Sequence, residues 1–167
     1  MDIRVLEAPD AARYQEVRLR GLRTNPEAFG STYEREAQFS LEFVEERLRP
    51  AEGKFTLGAF DETGKLVGIA TFVRESGPKT AHKGNVYGMY VAPETQGQGV
   101  GKALLRALID RARTCEGLER INLAVVTDNE PAIRLYRSLG FEKYGTERQA
   151  LKFEGRYCDE DFMALSW

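Results

Sequence analysis

Two periods of apolar residues run through this chain, one of two and one of three to four, and the switches between them mark its elements. Ile3-Arg4-Val5-Leu6-Glu7 alternates and predicts a short strand. Pro9 and Asp10 open a helix with Asp10 as the expected cap, and Tyr14, Val17, Leu19 and Leu22 carry it to Asn25-Pro26, where proline stops it. Ala28 to Gln38 is polar and without period, so an irregular segment is expected there. Ser40 caps a second helix through Leu48, although Phe43 stands where a full capping box carries Glu. From Lys54 the period becomes two. Phe55 to Phe60 and Leu66 to Val73 read as a hairpin turning at Asp61-Glu62-Thr63-Gly64. After a loop from Ser76 to Lys83, Asn85 to Val91 is a further strand.

Val100, Ala103, Leu104, Ala107, Leu108 and Ala112 share one face of a helix over Val100 to Ala112. Arg120 to Val126 is a buried strand. Asn129 or Asp128 caps the next helix, whose inner stripe is Ala132, Leu135, Tyr136 and Leu139 and whose stop is Gly140. The tail, Glu142 to Trp167, reads as two strands turning at Glu154-Gly155. The order β-α-α-β-β-β-α-β-α-β-β predicts a mixed α/β sheet, with a local parallel pair around the central strand-helix-strand unit and antiparallel flanks.

Composition narrows the function. The 167 residues fit one domain over 1–167, with 24 basic and 26 acidic side chains well mixed to a net charge of −2. That balance gives no pull toward nucleic acid or an anionic membrane, and no stretch approaches the roughly 20 apolar residues of a membrane span. The N-terminus lacks the basic and then apolar run of a secretory signal. Cys115 and Cys158 form no C-x-x-C and, with the single His82, no familiar zinc set. A cytoplasmic protein with reduced thiols and no metal is expected.

The chemistry concentrates in Val86 to Lys102, where a strand runs into a glycine-rich turn that becomes the first turn of a helix. The first amides of a helix have no internal partner, and the dipole adds positive charge there. Gly97, Gly99 and Gly101 remove the Cβ atoms that would keep a ligand off this backbone, which suits a phosphate or pyrophosphate. The nucleotide motif G-x-x-x-x-G-K-[ST] fails, since its first glycine falls on Gln96 and its Ser/Thr on Ala103. The dinucleotide motif G-x-G-x-x-G fails at Lys102.

Gln96-Gly97-Gln98-Gly99-Val100-Gly101 resembles the Q/R-x-x-G-x-G/A signature of the GNAT N-acetyltransferase superfamily. Tyr90 to Glu94 resembles the strand end before that signature. Asn129 to Phe141 resembles the family's N-x-x-A-x-x-L-Y-x-x-x-G-F segment. The likeness is specific from Val86 to Phe141 and weaker over nearly all the rest.

It implies a mixed, mostly antiparallel sheet whose central parallel pair splays to bind acetyl-CoA. It also implies transfer of acetyl to a primary amine of a small molecule or peptide. By the same resemblance, the backbone of Met89, Tyr90 and Val91 would pair with the pantetheine arm. Amides from Gln96, Gly97, Gln98, Gly99, Val100, Gly101 and Lys102 would hold the pyrophosphate. Asn129 and Ala132 would line the arm, a role that competes with the helix cap for Asn129. Tyr136 would protonate the departing thiolate, although its helical spacing alone reads as core. Lys102 and Arg137 are candidate charges for the phosphates. Cys115 has no cation expected beside it, so direct transfer in a ternary complex is favoured over an acetyl-cysteine.

The general base is left open. Relatives often carry a glutamate on the strand before the loop, yet Gly84-Asn85-Val86-Tyr87-Gly88 has no carboxylate. Glu34, Glu36, His82, Asp159 and Glu160 are candidates. Deprotonating a lysine-type amine at pH 7.4 costs about 4 kcal/mol and an α-amine well under about 1 kcal/mol, so a site with a weak base suits a weakly basic amine. The acceptor region implied is Leu22 to Arg49 with Arg148 to Asp161. Glu154, Asp159, Glu160 and Asp161 there either attract a cationic acceptor, a polyamine or a basic amino compound, or form a solvated hairpin. A CoA-binding module without catalysis, a longer acyl group and a protein N-terminus as acceptor stay open, and exposed edge strands in the tail leave room for a homodimer.

Overall fold

The computed structural model describes residues 1–167 as one seven-stranded sheet flanked by helices. The strands are β1 (Asp2–Val5), β2 (Lys54–Phe60), β3 (Leu66–Arg74), β4 (Lys83–Val91), β5 (Arg120–Val126), β6 (Glu142–Phe153) and β7 (Arg156–Ser166). The helices are α1 (Ala11–Thr24), α2 (Tyr33–Glu36), α3 (Leu41–Leu48), α4 (Val100–Ala112) and α5 (Glu130–Ser138). The strand order is β1-β2-β3-β4-β5-β7-β6, and every neighbouring pair is antiparallel except β4 with β5. This is the mixed, mostly antiparallel sheet with a central parallel pair that the sequence predicts.

Each face of the sheet buries its own core. Phe55 and Leu57 on β2 and Ala70 and Phe72 on β3 alternate onto the face covered by α4, where Leu104, Leu105 and Leu108 are wholly buried, and Val67 joins them at the irregularity in the β2–β3 register. On the opposite face Leu66, Ile69 and Tyr90 meet Tyr14 and Leu22 of α1 and Val44 and Leu48 of α3. α1 comes very close to β4 at Gly21, where an added Cβ would lie 2.9 Å from Phe29 and 3.0 Å from Tyr90.

The central pair decides the shape of the site. β4 and β5 register only at Lys83–Arg120, Gly84–Ile121 and Asn85–Asn122. Beyond those pairs each strand stays bonded on its outer side, β4 to β3 as far as Val91 and β5 to β7 as far as Val126, while the facing edges part. β4 also bulges. Ile69 pairs with Tyr90 and Thr71 with Tyr87, so Ala70 faces both Gly88 and Met89. Gly88 takes φ +58° there, a conformation that favours glycine.

Three local expectations change. Asp10 is not a side-chain cap for α1. Its buried carboxylate turns back to accept from the Glu7 amide at 2.9 Å and from Arg4 at 2.8 and 2.9 Å. The segment expected to be irregular contains α2, whose first turn is capped by Thr32 Oγ1 accepting from the Arg35 amide. Glu36, at the end of α2, is only 1% exposed and accepts from Arg18 of α1 at 2.6 and 3.0 Å and from Arg47 of α3 at 3.1 Å. One carboxylate therefore ties three helices together, and it is spent on that task rather than free to take a proton. The Ser40 cap does form, with Oγ accepting from the Phe43 amide at 3.1 Å.

Arg18, with Ser31 and Arg47, holds Glu36 ionised against the burial that opposes it, and its pKa falls from 4.5 to about 2. The unfolded chain takes up this proton near 4.5 and the folded one only near 2. The stabilisation is therefore complete above about pH 5.5 and is lost as pH falls from 4.5 toward 2. Glu36→Gln, which leaves Arg18 without its buried counter-charge, should cost about 3 kcal/mol at pH 7. It should also flatten the acid limb between pH 4.5 and 2 in urea or thermal denaturation followed by circular dichroism.

Candidate active site

A cleft of about 1320 Å³ occupies the gap between β4 and β5. Its walls take residues from β4, β5, the loop before α4, α5, the segment between α1 and α2, and the β6–β7 hairpin. The parted strands leave the facing backbone groups of β4 after Asn85 without ladder partners, so an extended, amide-bearing ligand can add to that edge.

At the C-terminal end of β4 a short 3₁₀ turn, Pro93–Thr95, leads into the glycine loop. Thr95 Oγ1 donates to the Ala92 carbonyl at 2.9 Å. Glu94 accepts from Arg20 of α1 at 2.7 and 2.8 Å and lies 3.5 Å from Lys65, which fastens the loop to its surroundings. Arg20 above all, then the residue's own amide and least of all Lys65, hold the exposed Glu94 carboxyl down at about 2.

Gly97 and Gly99 then take φ +83° and +79°, and a Cβ on either would meet nothing within 4 Å. The amides of Gly97, Gly99, Val100, Gly101 and Lys102 donate to no acceptor in the protein, whereas those of Gln96 and Gln98 are used on Pro93 and Thr95. Five free amides converge at the start of α4, where the dipole adds positive charge, and open space stands where side chains would otherwise be. This fits a pyrophosphate, and the free β4 edge beside it fits an amide-rich arm.

Most of the expected residues come together here. Met89, Tyr90, Val91, Gln96, Gly97, Gly99, Val100, Gly101, Lys102, Asn129, Ala132 and Tyr136 all line the cleft. Gln98 does not line it. Asn129 is the cap of α5, its Oδ1 accepting from the Ala132 amide at 3.3 Å, and it reaches the cleft from that position. On α5, Ile133 and Tyr136 are the buried pair, while Ala132 and Leu135 are half-buried and also face the cleft. Arg137 is exposed and Cys115 packs beside the α4-side core, neither of them in the cleft wall.

Tyr136 is 9% exposed and packs edge-on to Phe141 at 6.0 Å between ring centroids. Burial pushes its phenol up to about 12. The group therefore keeps its proton throughout the neutral range.

Of the five candidate bases only Glu160 is in the cleft. Burial, with Glu147 adding like charge across the β6–β7 pair, raises its carboxyl above the ordinary value. His82 immediately precedes β4, at the end away from the glycine loop, where its carbonyl accepts from the Glu119 and Arg120 amides. Glu34 is exposed on α2. Asp159 accepts from the Gln149 amide at 2.8 Å, and Asp161 from Thr146 at 2.7 Å with Lys143 at 3.4 Å. Asp159 and Asp161 are thus partnered within the hairpin, and only Glu160 of its carboxylates faces the cleft.

Arg18, Tyr144 and Phe162, which no sequence signal marks, also line the cleft, as do Tyr87 and Gly88, which lie in the Val86–Lys102 stretch but carried no expected role. Glycine inside a strand was a signal for the bulge at Gly88. The others carry no local mark, because long-range folding brings them in.

The family model for the Acetyltransferase (GNAT) family matches residues 19–141. An L-methionine sulfoximine/L-methionine sulfone acetyltransferase of Pseudomonas aeruginosa is 36% identical over 119 residues, 71% of this chain and 68% of that protein. An L-amino acid N-acetyltransferase of Escherichia coli is 34% identical over 101 residues, 60% of this chain and 62% of that protein. The fold superposes on a Salmonella typhimurium acetyltransferase structure, solved with acetyl-CoA as its cofactor, with a TM-score of 0.81 and 28% identity, covering 99% of this chain and 93% of the other.

At Gly101 a Cβ would touch Leu135 at 3.4 Å and Met89 and Val91 at 3.6 Å, ordinary contacts that the fold accommodates. Gly101→Val should therefore fold and lose about tenfold to hundredfold in affinity for CoA, the equivalent of one or two charge-assisted hydrogen bonds. Titration calorimetry with CoA measures this, and unchanged affinity in the folded variant would remove the loop from the phosphate site.

Proposed function

The chain belongs to the GNAT acetyltransferase family and is an acetyl-CoA-dependent N-acetyltransferase, and on that premise we propose that it acts as one catalytic domain on the primary amine of a small amino compound. In this reading the amine attacks directly in a ternary complex, Tyr136 gives a proton to the leaving group, and Glu160 takes one from the amine. The observation that carries it is that a single cleft joins the free-amide cradle to a phenol held protonated and to a carboxyl made more basic.

Acetyl-CoA supplies an acetyl group already activated as a thioester. The protein positions and moves protons. The five free amides at the start of α4 hold negative charge, and the unpaired β4 edge fixes the arm in extended form. Tyr136, with its pKa near 12, stays neutral across the pH range of any assay and is always available as a donor. Burial, with the like charge of Glu147, raises the Glu160 carboxyl above its ordinary value, which brings it closer to the basicity useful at neutral pH. Environments that keep one group protonated and make the other a better proton acceptor divide the acid and base roles. Small acceptors are supported by two of the relatives, named as enzymes acting on L-amino acids and on methionine sulfoximine and sulfone, while another relative is named an N-alpha-acetyltransferase.

Tyr136→Phe removes only a hydroxyl and keeps the ring against Phe141. It should lower kcat and kcat/KM together by about 10²–10⁴-fold with CoA affinity nearly unchanged. The wild-type rate should show no loss attributable to the acid below about pH 10. Glu160→Gln should cost more with strongly basic amines than with weakly basic ones, because only the former depend on help with deprotonation. Steady-state kinetics across an amine series, with free thiol as the readout, checks all three. A Phe variant within about twofold of wild type, with chemistry rate-limiting, would return Tyr136 to a purely packing role.

A further inference from the structure

We propose that Arg18 recognises a carboxylate on the acceptor, so that the substrates are amino acids or other small amines bearing an acid group. This rests on the acetyl-transfer reading and adds the acceptor's class. The Arg18 side chain is 9% exposed, and its Nε and Nη2 are committed to Glu36 at 2.6 and 3.0 Å. Nη1 takes no part in that pair, and the polar neighbour of the guanidinium apart from Glu36 is the hydroxyl of Tyr14, which also lines the cleft. It lies against the β4 bulge, where a Cβ on Gly88 would come within 2.6 Å of it, and both Arg18 and Gly88 line the cleft. A buried guanidinium thus turns the edge that Glu36 leaves free toward the cleft, beside the Tyr14 hydroxyl and where β4 departs from regular pairing with β3.

The charge count points the same way. Glu36 is one carboxylate serving two guanidinium groups, since Arg47 Nη1 also reaches it at 3.1 Å. Arg47 and Lys54 line the same cleft, and the only carboxylates in its wall are Glu27 and Glu160. Arg47 is 31% exposed and partly solvated, so the surplus positive charge of the trio faces the cleft, and a ligand carboxylate would be drawn to it and would accept from the free edge of Arg18. The guanidinium is already oriented, by the two bonds to Glu36 and by the Phe29 ring 5.2 Å from Cζ, so binding orders little more. Tyr87, Tyr144, Leu151 and Val73 offer apolar surface for the remainder of the ligand. The same excess of positive charge disfavours a polyamine.

The test is titration calorimetry of L-methionine and L-methioninamide on the CoA-loaded protein, with thiol release followed for the same pair using acetyl-CoA. Methionine is chosen because its flexible apolar side chain suits that surface. Wild type should bind the acid about tenfold to hundredfold more tightly than the amide. Arg18→Lys, which keeps a cation beside Glu36 and removes Nη1, should bring the two within about threefold of each other while CoA affinity holds. The wild-type comparison stands even if that variant does not fold. Equal binding of acid and amide by wild type, binding of neither, or an acid preference that survives in a folded Arg18→Lys protein overturns the proposal. Acid-selective binding that depends on Arg18, without thiol release, would sustain it and sink the acetyl-transfer reading instead.

Discussion

Everything at the site follows from the brevity of one strand pairing. β4 and β5 share three registered residues and then part, each held by its other neighbour. A parallel pair needs a crossover, and α4 provides it, so the start of α4 necessarily lies at the open end of the gap. Unpaired strand edge, free helix amides and cleft are therefore consequences of one topological fact. The glycine loop makes that geometry usable, since five amides left without acceptors in the fold are exposed to whatever the cleft holds.

The wall opposite the loop is organised by charge. Arg18, Glu36 and Arg47 join α1, α2 and α3, and Arg20 with Glu94 joins α1 to the turn before the loop. The two clusters differ in kind. Arg20 and Glu94 are both exposed, 44% and 43%, and contribute little beyond fixing a position. Arg18 and Glu36 are buried, so their mutual dependence is strong and any donor left over is chemically significant. α1 thereby touches both ends of the cleft, the loop through Arg20 and the β4 bulge through Arg18.

Burial also sets the proton chemistry. The same desolvation that keeps Tyr136 neutral to about 12 raises Glu160, and in each case it is the charged form that the surroundings oppose. Glu36 is as buried as either, yet it moves down to about 2 because two guanidinium groups compensate it. Among three acidic groups near one cleft, partners rather than burial alone decide which is a donor, which can accept a proton and which is structural.

The sequence alone determined the elements whose signals are local. α4 and β5 occur with the bounds read from periodicity, because apolar spacing and flanking glycines act within one turn or one strand. The glycine loop, the Ser40 and Asn129 caps and the Glu154-Gly155 turn, with φ +50° and +74°, were legible for the same reason. Asp10, Glu36 and the hairpin carboxylates were not. Whether a carboxylate is free, paired or buried depends on Arg4, Arg18, Arg47 or Lys143, and those partners arrive by long-range packing or by local turns that periodicity does not reveal. The choice of Glu160 among five candidate bases, and the presence of Arg18 in the cleft at all, were likewise decided only by the tertiary structure. An ionisable group's role is fixed by what surrounds it in space, and sequence spacing carries that information only across a single helix turn or strand pair.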